Sequence, residues 1–105
     1  MEAFFVYIIT NKNQSVLYVG VTNDLKRRLW EHRHKKAKGF STRYHLACLL
    51  YFETYPDPLS AIAREKQLKG WRRAKKIALI ERDNSTWQDL SRAWEDNGDP
   101  STSSG

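Results

Sequence analysis

Two short stretches of the 105-residue chain decide its fold: Ala3-Phe-Phe-Val-Tyr-Ile-Ile-Thr10 and Val16-Leu-Tyr-Val-Gly-Val21. Both are rich in aromatic and β-branched residues, which predicts two β-strands. Side chains alternate along a strand, so Phe5, Tyr7 and Ile9 share one face of the first one. The short polar segment between the stretches is typical of a turn. The two strands are therefore expected to pair as an antiparallel hairpin.

Helix-start and helix-stop signals organise the rest of the chain. Thr22-Asn23-Asp24 and the Asp57-Pro58 pair are N-cap sequences, and Gly70 is a helix terminator. Ser85-Thr-Trp-Gln88 has the form of a capping box. The predicted elements are strands at residues 3–10, 16–21 and 45–55, and helices from Asp24 to about Lys36, from Asp57 to Lys69, from Trp71 to Arg82 and from Ser85 past Trp94.

Apolar spacing predicts which face each helix buries. Leu25 and Leu29 mark the first helix. The predicted buried positions of the other three helices are Leu59, Ala61, Ile62 and Leu68; Ala74, Ile77, Ala78 and Ile80; and Trp87, Leu90, Ser91 and Trp94.

The order β-β-α-β-α-α-α predicts a small α+β fold, with a three-stranded, mostly antiparallel sheet flanked by helices. The chain length allows one domain, which we place at residues 1–95. Residues 96–105 carry no apolar side chain and are expected to form a disordered tail.

The charge pattern points to a polyanionic partner. Eighteen Lys and Arg face twelve Asp and Glu, for a net charge of +6. Residues 26–76 hold fifteen of the basic and four of the acidic side chains. Such a basic half fits nucleic acid first and an anionic membrane surface second, although it also occurs in proteins that are merely soluble.

Several function classes are excluded or not expected. No apolar run approaches the roughly 18 residues that a membrane span needs, and no signal peptide is expected. The single cysteine, Cys48, excludes an internal disulfide and a zinc site built on several thiolates.

Polar residues lie on or beside the predicted buried stripes, where apolar ones would be expected. Burying an unpaired charge costs several kcal/mol, so such groups are normally paired or functional. Arg28 and Glu65 could form an ion pair between two helices, and His32 could be a structural histidine. The whole set is Tyr7, Tyr18, Arg28, His32, Glu65 and, less clearly, Lys69.

Together these residue types suit phosphodiester hydrolysis. That reaction needs a positioned water and cations beside the phosphoryl oxygens. An arginine offers a fork of donors to phosphate, and a single inward glutamate can anchor Mg²⁺, which keeps most of its waters. A tyrosine near a metal ion and cations can ionise more readily than in water, and so can orient or deprotonate the water.

The same residues resemble the GIY-YIG endonuclease family. Phe5-Val6-Tyr7 and Tyr18-Val19-Gly20 resemble its paired signature, and Arg28-Leu-Trp-Glu-His32 resembles its helix with arginine and histidine four residues apart. The segment from Ala63 to Trp71 resembles the metal-binding helix of the small, single-domain bacterial members. The resemblance covers about residues 3–90. It departs at Phe5 and Val6, which replace Gly and Ile.

The resemblance implies a role for each matched residue. Tyr7 would be the general base or the water-orienting group, and Tyr18 would line the same site. Arg28 would hold the scissile phosphate, His32 would hydrogen-bond Tyr7, and Glu65 would bind one divalent metal, Mg²⁺ or Mn²⁺. Two supporting positions complete the site: Gly20, expected to turn the chain sharply, and Asn84, expected to be structural.

The remaining basic side chains predict a platform for a phosphate backbone, although some are expected to be ordinary solvated surface. They are Arg27, Arg33, Lys35, Lys36, Lys38, Lys66, Lys69, Arg72 and Arg73, with Lys75 and Lys76 beside them.

The resemblance thus implies a metal-dependent endonuclease that hydrolyses phosphodiester bonds in DNA, in repair, recombination or DNA processing in the bacterial cytoplasm. Larger family members take sequence specificity from added domains, so little specificity is expected here, unless a protein partner supplies it. The first alternative is a non-catalytic nucleic-acid-binding module with the same fold. The second is a subunit that binds a protein through Trp87 and Trp94, for which we favour core packing.

Overall fold

The computed structural model describes residues 3–34 and 48–97. The elements are β1 (Phe4–Thr10), β2 (Leu17–Thr22), α1 (Leu25–Arg33), β3 (Cys48–Tyr55), α2 (Pro58–Lys69), α3 (Arg73–Asp83) and α4 (Arg92–Asn97). The predicted element order and the α+β class are confirmed. No helix among the described residues is long and apolar enough to cross a membrane.

The sheet has three strands in the order β2-β1-β3, with both pairs antiparallel. The central strand β1 places Tyr7 opposite Gly20 on β2 and opposite Phe52 on β3. The β1–β3 pairing shifts register between Ile8 and Ile9, where β3 carries one extra residue, Leu50. This β-bulge lets consecutive residues of β3 contact the same side of the sheet.

Alternation along β1 divides the apolar residues between two clusters. Val6 and Ile8 belong to one cluster, with Leu68 of α2 and Ile80 of α3. Phe5, Tyr7 and Ile9 belong to the other, with Leu25 and Leu29 of α1. The sheet is therefore covered on one side by α1 and on the other by α2 and α3.

Both helices have the predicted kind of N-cap, and of the three candidates Thr22, Asn23 and Asp24 it is Asp24 that caps α1. The side chain of Asp24 accepts a hydrogen bond from the backbone N–H of Arg27 (3.0 Å), and that of Asp57 accepts one from Ser60 (2.8 Å). Gly70 caps the C-terminus of α2 as expected. The predicted end of α1 at Lys36 is wrong, because α1 ends at Arg33 and the N–H of its cap residue bonds back to the last turn.

Two predicted helix faces need correction. On α2, Ala61 and Leu68 are buried, whereas Leu59 is 78% exposed and Ile62 37% exposed. On α3 the buried residues are Leu79 and Ile80. Ala74 and Ala78 are exposed, and Ile77 is only partly buried. A short helix that rests on a sheet along a narrow strip buries fewer positions than a full amphipathic stripe would suggest.

The predicted helix start at Ser85 is wrong. Residues 85–91 form turns and irregular chain, and Trp87 has a positive φ of 56°, which no helix accommodates. Contacts with β3 hold this segment, since the Leu90 N–H donates to the carbonyl oxygen of Leu49 (2.8 Å). The core packing expected of the two tryptophans is present, but on opposite sides of the sheet: Trp87 packs against the cluster that contains Val6, and Trp94 against the cluster that contains Tyr7.

Part of the sequence prediction falls outside the described residues, namely 35–47, with Lys35, Lys36, Lys38 and the start of the third strand, and 98–105 of the expected tail. The helix α4 continues through Asn97. The domain boundary at residue 95 stays a prediction.

Candidate active site

Tyr7 lies at the centre of a polar cluster between β1, β2 and α1. Its side chain is only 1% exposed. The hydroxyl oxygen lies 3.2 Å from Nε2 of His32 and is also hydrogen-bonded to the guanidinium of Arg28. A guanidinium only donates, so the tyrosine oxygen accepts from Arg28. Its own proton is then free to point at His32.

Burial decides the protonation state of Tyr7. Desolvation raises the pKa of its hydroxyl to about 12, against the lowering effect of the hydrogen bond and the positive charge of Arg28. With Arg28 alone as the neighbouring cation, burial outweighs the effect of its charge, and Tyr7 is a neutral phenol at neutral pH. The easier ionisation expected beside both a metal ion and cations stays a prediction.

His32 is likewise neutral. It is 1% exposed, and burial, assisted by the charge of Arg28, lowers its pKa to about 4. Its Nδ1 has no hydrogen-bond partner among residues 3–34 and 48–97. A neutral imidazole that accepts the Tyr7 proton at Nε2 must carry its own proton on Nδ1. The Tyr7 contact is thus the polar anchor that the described residues give this ring.

Gly20 provides the space that Tyr7 occupies. A Cβ atom at Gly20 would lie 2.4 Å from the Tyr7 hydroxyl oxygen and 2.5 Å from the ring carbon that bears it. Gly20 lies within β2, paired with Tyr7. The expected sharp turn at this glycine is wrong, and its function in the fold is close approach of an aromatic ring to the backbone.

Tyr18 completes the aromatic part of the cluster. Its ring centroid lies 6.5 Å from that of Tyr7 and 5.7 Å from that of His32. The charge that Tyr18 would carry when ionised is one of the influences that raise the Tyr7 pKa. The two tyrosines of the paired signature therefore lie side by side.

Arg28 and Glu65 do not form the ion pair considered from the sequence. Arg28 pairs with Glu31 on its own helix at 3.0 Å, and Glu65 pairs with Lys69 one turn away at 2.8 Å. The Glu65 side chain is only 14% exposed, and its negative charge raises the Tyr7 pKa. Glu65 therefore lies within electrostatic reach of Tyr7, although α1 and α2 pack on opposite sides of the sheet.

A partly buried network that the sequence reasoning missed orients α2. Glu53 on β3 accepts hydrogen bonds from the hydroxyls of Tyr51 and Tyr55 and from the Arg64 guanidinium, with Nη2 at 3.0 Å. Arg64 directly precedes Glu65, so this clamp fixes the rotation of α2 next to the carboxylate. The available signal was a charged residue within an apolar strand, flanked two positions away on each side by tyrosines.

Asn84 lies at the bulge in β3. Its Nδ2 donates to the carbonyl oxygens of Leu50 (3.0 Å) and Gln88 (2.9 Å), and its Oδ1 accepts from the Gln88 N–H. A bulge leaves the extra residue without its ladder partner, and Asn84 supplies that partner. This is a structural contact, remote from the phenol of Tyr7.

The proposed platform residues differ in what they contact. Arg27, Lys66 and Arg72 are exposed. Arg33 contacts Asp89 at 3.1 Å, and Lys69 contacts Glu65. Arg73 donates to the carbonyl oxygens of Gln14 (2.8 Å) and Ser15 (3.2 Å) in the β1–β2 turn. Lys75 lies over the Trp71 ring at 4.2 Å.

The donor set at Glu65 fits a weakly ligated divalent ion. No group of three His, Cys, Asp or Glu that could hold a metal occurs among the described residues, so a protein cage of the zinc type is not formed there. A single, mostly buried carboxylate suits Mg²⁺ or Mn²⁺, which retain several waters as ligands.

Comparison with known protein families assigns the chain to one of them. A family model described as the GIY-YIG catalytic domain matches residues 3–78, a span that contains Tyr7, Tyr18, Arg28, His32 and Glu65. The chain belongs to the GIY-YIG family. As a GIY-YIG domain, it is a domain of a nuclease family.

Relatives within the GIY-YIG family are short proteins of similar extent. A UPF0213 protein of Staphylococcus epidermidis is 31% identical over 81 residues, which are 77% of this chain and 98% of that protein. A UPF0213 protein of Haloquadratum walsbyi is 32% identical over 77 residues, covering 73% of this chain and 85% of that one. The solution NMR structure of a UPF0213 protein from Bacillus halodurans is 27% identical, with a TM-score of 0.53 over 86% of this chain and 95% of that one.

Proposed function

We propose that this GIY-YIG domain is a metal-dependent endonuclease that hydrolyses phosphodiester bonds in DNA. The observation that carries the proposal is the convergence on the Tyr7 hydroxyl. Arg28 and His32 hydrogen-bond it, and the charge of Glu65 acts on it. A phosphate-binding cation and a hydroxyl for the water are thus neighbours, and a carboxylate for a metal lies within electrostatic reach of that hydroxyl.

Arg28 binds the scissile phosphate in this proposal. Its guanidinium is about one-third exposed, so its donors can reach a ligand from solvent. A guanidinium matches the planar arrangement of two phosphate oxygens and gains strength as negative charge builds up on them. Glu31, now its partner, would keep the side chain extended until a phosphate competes for it.

Tyr7 positions the attacking water. As a neutral phenol it has a second lone pair for the water, and its own proton can move toward His32 Nε2. Transfer of the water proton to Tyr7 Oη, with the Tyr7 proton passing to His32, keeps the phenol neutral. Tyr18 lines the same space and hydrogen-bonds the water or the phosphate.

Glu65 would hold the metal ion. When bound, Mg²⁺ or Mn²⁺ supplies positive charge beside the phosphoryl oxygens and favours ionised forms of nearby hydroxyls. Lys69 now neutralises this carboxylate. A cation that binds Glu65 has to displace that ammonium group, which makes Lys69 a competitor for the metal.

The basic residues that the sequence predicts as a platform hold the substrate through its backbone. Contacts with phosphate position a nucleic acid without reading its bases, so we propose little sequence specificity and a role in DNA repair, recombination or processing in the cytoplasm. The platform comprises Arg27, Arg33, Lys35, Lys36, Lys38, Lys66, Lys69, Arg72 and Arg73.

A non-catalytic nucleic-acid-binding module remains the second candidate. The observation that favours it is the Glu65–Lys69 ion pair at 2.8 Å, which occupies the carboxylate that a nuclease needs for its metal. A binder would keep this pair in the complex with nucleic acid, whereas a nuclease would exchange Lys69 for the metal.

The deciding experiment uses labelled single-stranded, duplex and branched DNA with Mg²⁺, Mn²⁺ or a chelator. Cleavage that requires metal and is lost in Glu65→Ala supports the nuclease. Binding of every substrate without cleavage supports the second candidate. Equal cleavage by Glu65→Ala would contradict the metal assignment.

A further inference from the structure

A cavity of about 320 Å³ lies beside α1, and its lining includes none of the clustered residues Tyr7, Tyr18, Arg28, His32 and Glu65. Trp30, Trp94 and Leu29 supply its apolar wall, and Lys26 and Arg33 supply positive charge. Its volume falls at the small end of the roughly 300–1,000 Å³ range of ligand sites. It therefore suits a single flat group with a negative charge attached.

Trp30 is the principal feature of this cavity. It is 50% exposed, although large aromatic residues are normally mostly buried. His34 stacks on it with ring centroids 4.1 Å apart and an angle of 20° between the planes, and His34 Nδ1 is held by the Trp30 carbonyl oxygen at 2.8 Å. The histidine covers one face of the indole and keeps it in place, so the other face is a preorganised stacking platform.

The charge of the lining selects the class of ligand. The described residues that line the Trp30 cavity include no Asp or Glu. Arg33 is paired with Asp89 at 3.1 Å, so Lys26 is the lining residue that offers positive charge to a phosphate. Two other cavities, of about 670 and 400 Å³, are both lined by Asp89 itself. Aromatic faces next to cations are the usual means of binding unpaired bases and the adjoining backbone.

The position on α1 relates this cavity to the catalytic cluster. Arg28 and Trp30 are two residues apart, so they project about 200° apart around the helix. The cavity and the cluster therefore lie on opposite flanks of α1, which is about 10–12 Å wide with its side chains. A strand that crosses α1 can place a phosphate at Arg28 and a base at Trp30 together.

We propose that the Trp30 cavity binds an unpaired base of the nucleic-acid strand by stacking it on the indole, with Lys26 contacting the adjacent phosphate. This inference rests on the proposed function for the class of ligand, nucleic acid, and extends it to substrates that have single-stranded segments. The interior bases of a fully paired duplex are stacked on their neighbours and have no free face to offer the indole.

The test measures binding in chelator, where no cleavage occurs, with a blunt DNA duplex and the same duplex carrying a single-stranded arm that contains 2-aminopurine. The variants are Trp30→Ala, Trp30→Phe and the matched control Leu59→Ala, which removes another exposed apolar side chain, on α2. Circular dichroism verifies that each variant is folded.

We expect Trp30→Ala to weaken binding of the armed duplex roughly tenfold and to abolish the quenching of 2-aminopurine, with blunt-duplex binding within about twofold of the wild type. Trp30→Phe should retain most of the affinity for the armed duplex and most of the 2-aminopurine quenching. Leu59→Ala should retain both in full. Equal affinities of Trp30→Ala and wild type for the armed duplex would overturn the inference and leave the proposed function standing. An equal loss of affinity for the armed and the blunt duplex in Trp30→Ala would also overturn the inference. Failure of the wild type to bind any nucleic acid would overturn both this inference and the proposed function. A change of oligomeric state in Trp30→Ala with unchanged DNA binding would also overturn the inference and would assign the surface to a second copy of the chain.

Discussion

Gly20 and Tyr7 face each other across the β1–β2 pair so closely that a Cβ atom on Gly20 would lie 2.4 Å from the tyrosine hydroxyl oxygen. This contact fixes where the phenol can lie and explains the glycine without any turn. Phe5, which departs from the family signature, is buried in the apolar cluster on the α1 side of the sheet.

The substitution Gly20→Ala should displace the Tyr7 ring, because the new methyl group meets two of its atoms within 2.5 Å. We expect a loss of about 1–3 kcal/mol in the free energy of unfolding, as for other overpacked sites, and a large loss of cleavage. Denaturant unfolding and a cleavage assay measure the two effects.

Gly70→Ala is the matched control. Gly70 has a right-handed backbone conformation, with φ −79°, and a Cβ there would come no closer than 3.5 Å to its neighbours. This substitution should be neutral or stabilise the fold by about 0.4–1 kcal/mol. If Gly20→Ala behaved like Gly70→Ala, the close approach to Tyr7 would not constrain the site.

His32 should make the stability of the fold depend on pH. Its pKa falls from 6.5 to about 4 in the folded protein, so the unfolded chain takes up the proton first as the pH is lowered. The stabilisation is present above pH 6.5 and is lost as the pH falls toward 4. Since one pKa unit corresponds to about 1.4 kcal/mol, the loss amounts to at most about 3 kcal/mol.

Unfolding measured from pH 7 to pH 4 checks this expectation, with His32→Gln as the test variant and the exposed His34→Gln as its control. The unfolding free energy of the wild type, relative to that of His32→Gln, should fall by up to about 3 kcal/mol between pH 7 and pH 4. A constant difference would show that His32 is not held neutral by burial.

Glu53 should matter to the active site through Arg64. Glu53→Gln removes the charge that pairs with Arg64 and weakens the two tyrosine hydrogen bonds. Both partners are partly exposed, so we expect a cost of about 1–3 kcal/mol, below that of a fully buried pair. The rate of cleavage should fall while substrate affinity stays near the wild-type value, because α2 and Glu65 lose their fixed orientation.

A double-mutant cycle with Arg64→Gln separates this pair from general destabilisation. The two substitutions should be strongly non-additive in stability and in cleavage rate. Additive effects would mean that the Glu53–Arg64 contact does not orient the helix.

Replacing either Arg72 or Arg73 with alanine should weaken DNA binding, but only the substitution of Arg73 should lower the stability of the fold. Neutralising either one should reduce the slope of log affinity against log salt concentration by about 1. Arg73 also holds the β1–β2 turn through two carbonyl oxygens, so Arg73→Ala should lower the unfolding free energy by about 0.5–1.5 kcal/mol. An unchanged salt slope in Arg72→Ala would remove this surface from the proposed DNA platform.

Local signals in the sequence were sufficient for much of the fold. The caps at Asp24 and Asp57 act within one helical turn, and the alternation around Tyr7 is a property of the strand itself, so both could be predicted. The capping-box pattern at Ser85 failed because hydrogen bonds from Asn84 and Leu90 to β3 dictate that segment. Such contacts join residues distant in sequence and leave no local pattern.

In the candidate site, too, the sequence predicts some features and only the structure shows the others. The resemblance selected Tyr7, Arg28, His32 and Glu65, and the chain brings their side chains or charges together. The protonation states of Tyr7 and His32 depend on how deeply the fold buries them, which residue type and spacing do not express. The ion pairs of Glu65 with Lys69 and of Arg28 with Glu31 are choices among several nearby opposite charges, and only the packed structure resolves them.

The central claim, that Glu65 makes this cluster a metal-dependent phosphodiesterase, is tested most directly by the single-turnover rate of DNA cleavage as a function of Mn²⁺ concentration. The comparison is between wild type, Glu65→Gln and Glu81→Gln, a control that changes the same residue type on α3. We predict that Glu81→Gln follows the wild-type curve, while Glu65→Gln loses roughly 100-fold or more at every metal concentration. A Glu65→Gln curve superimposable on that of the wild type would contradict the account.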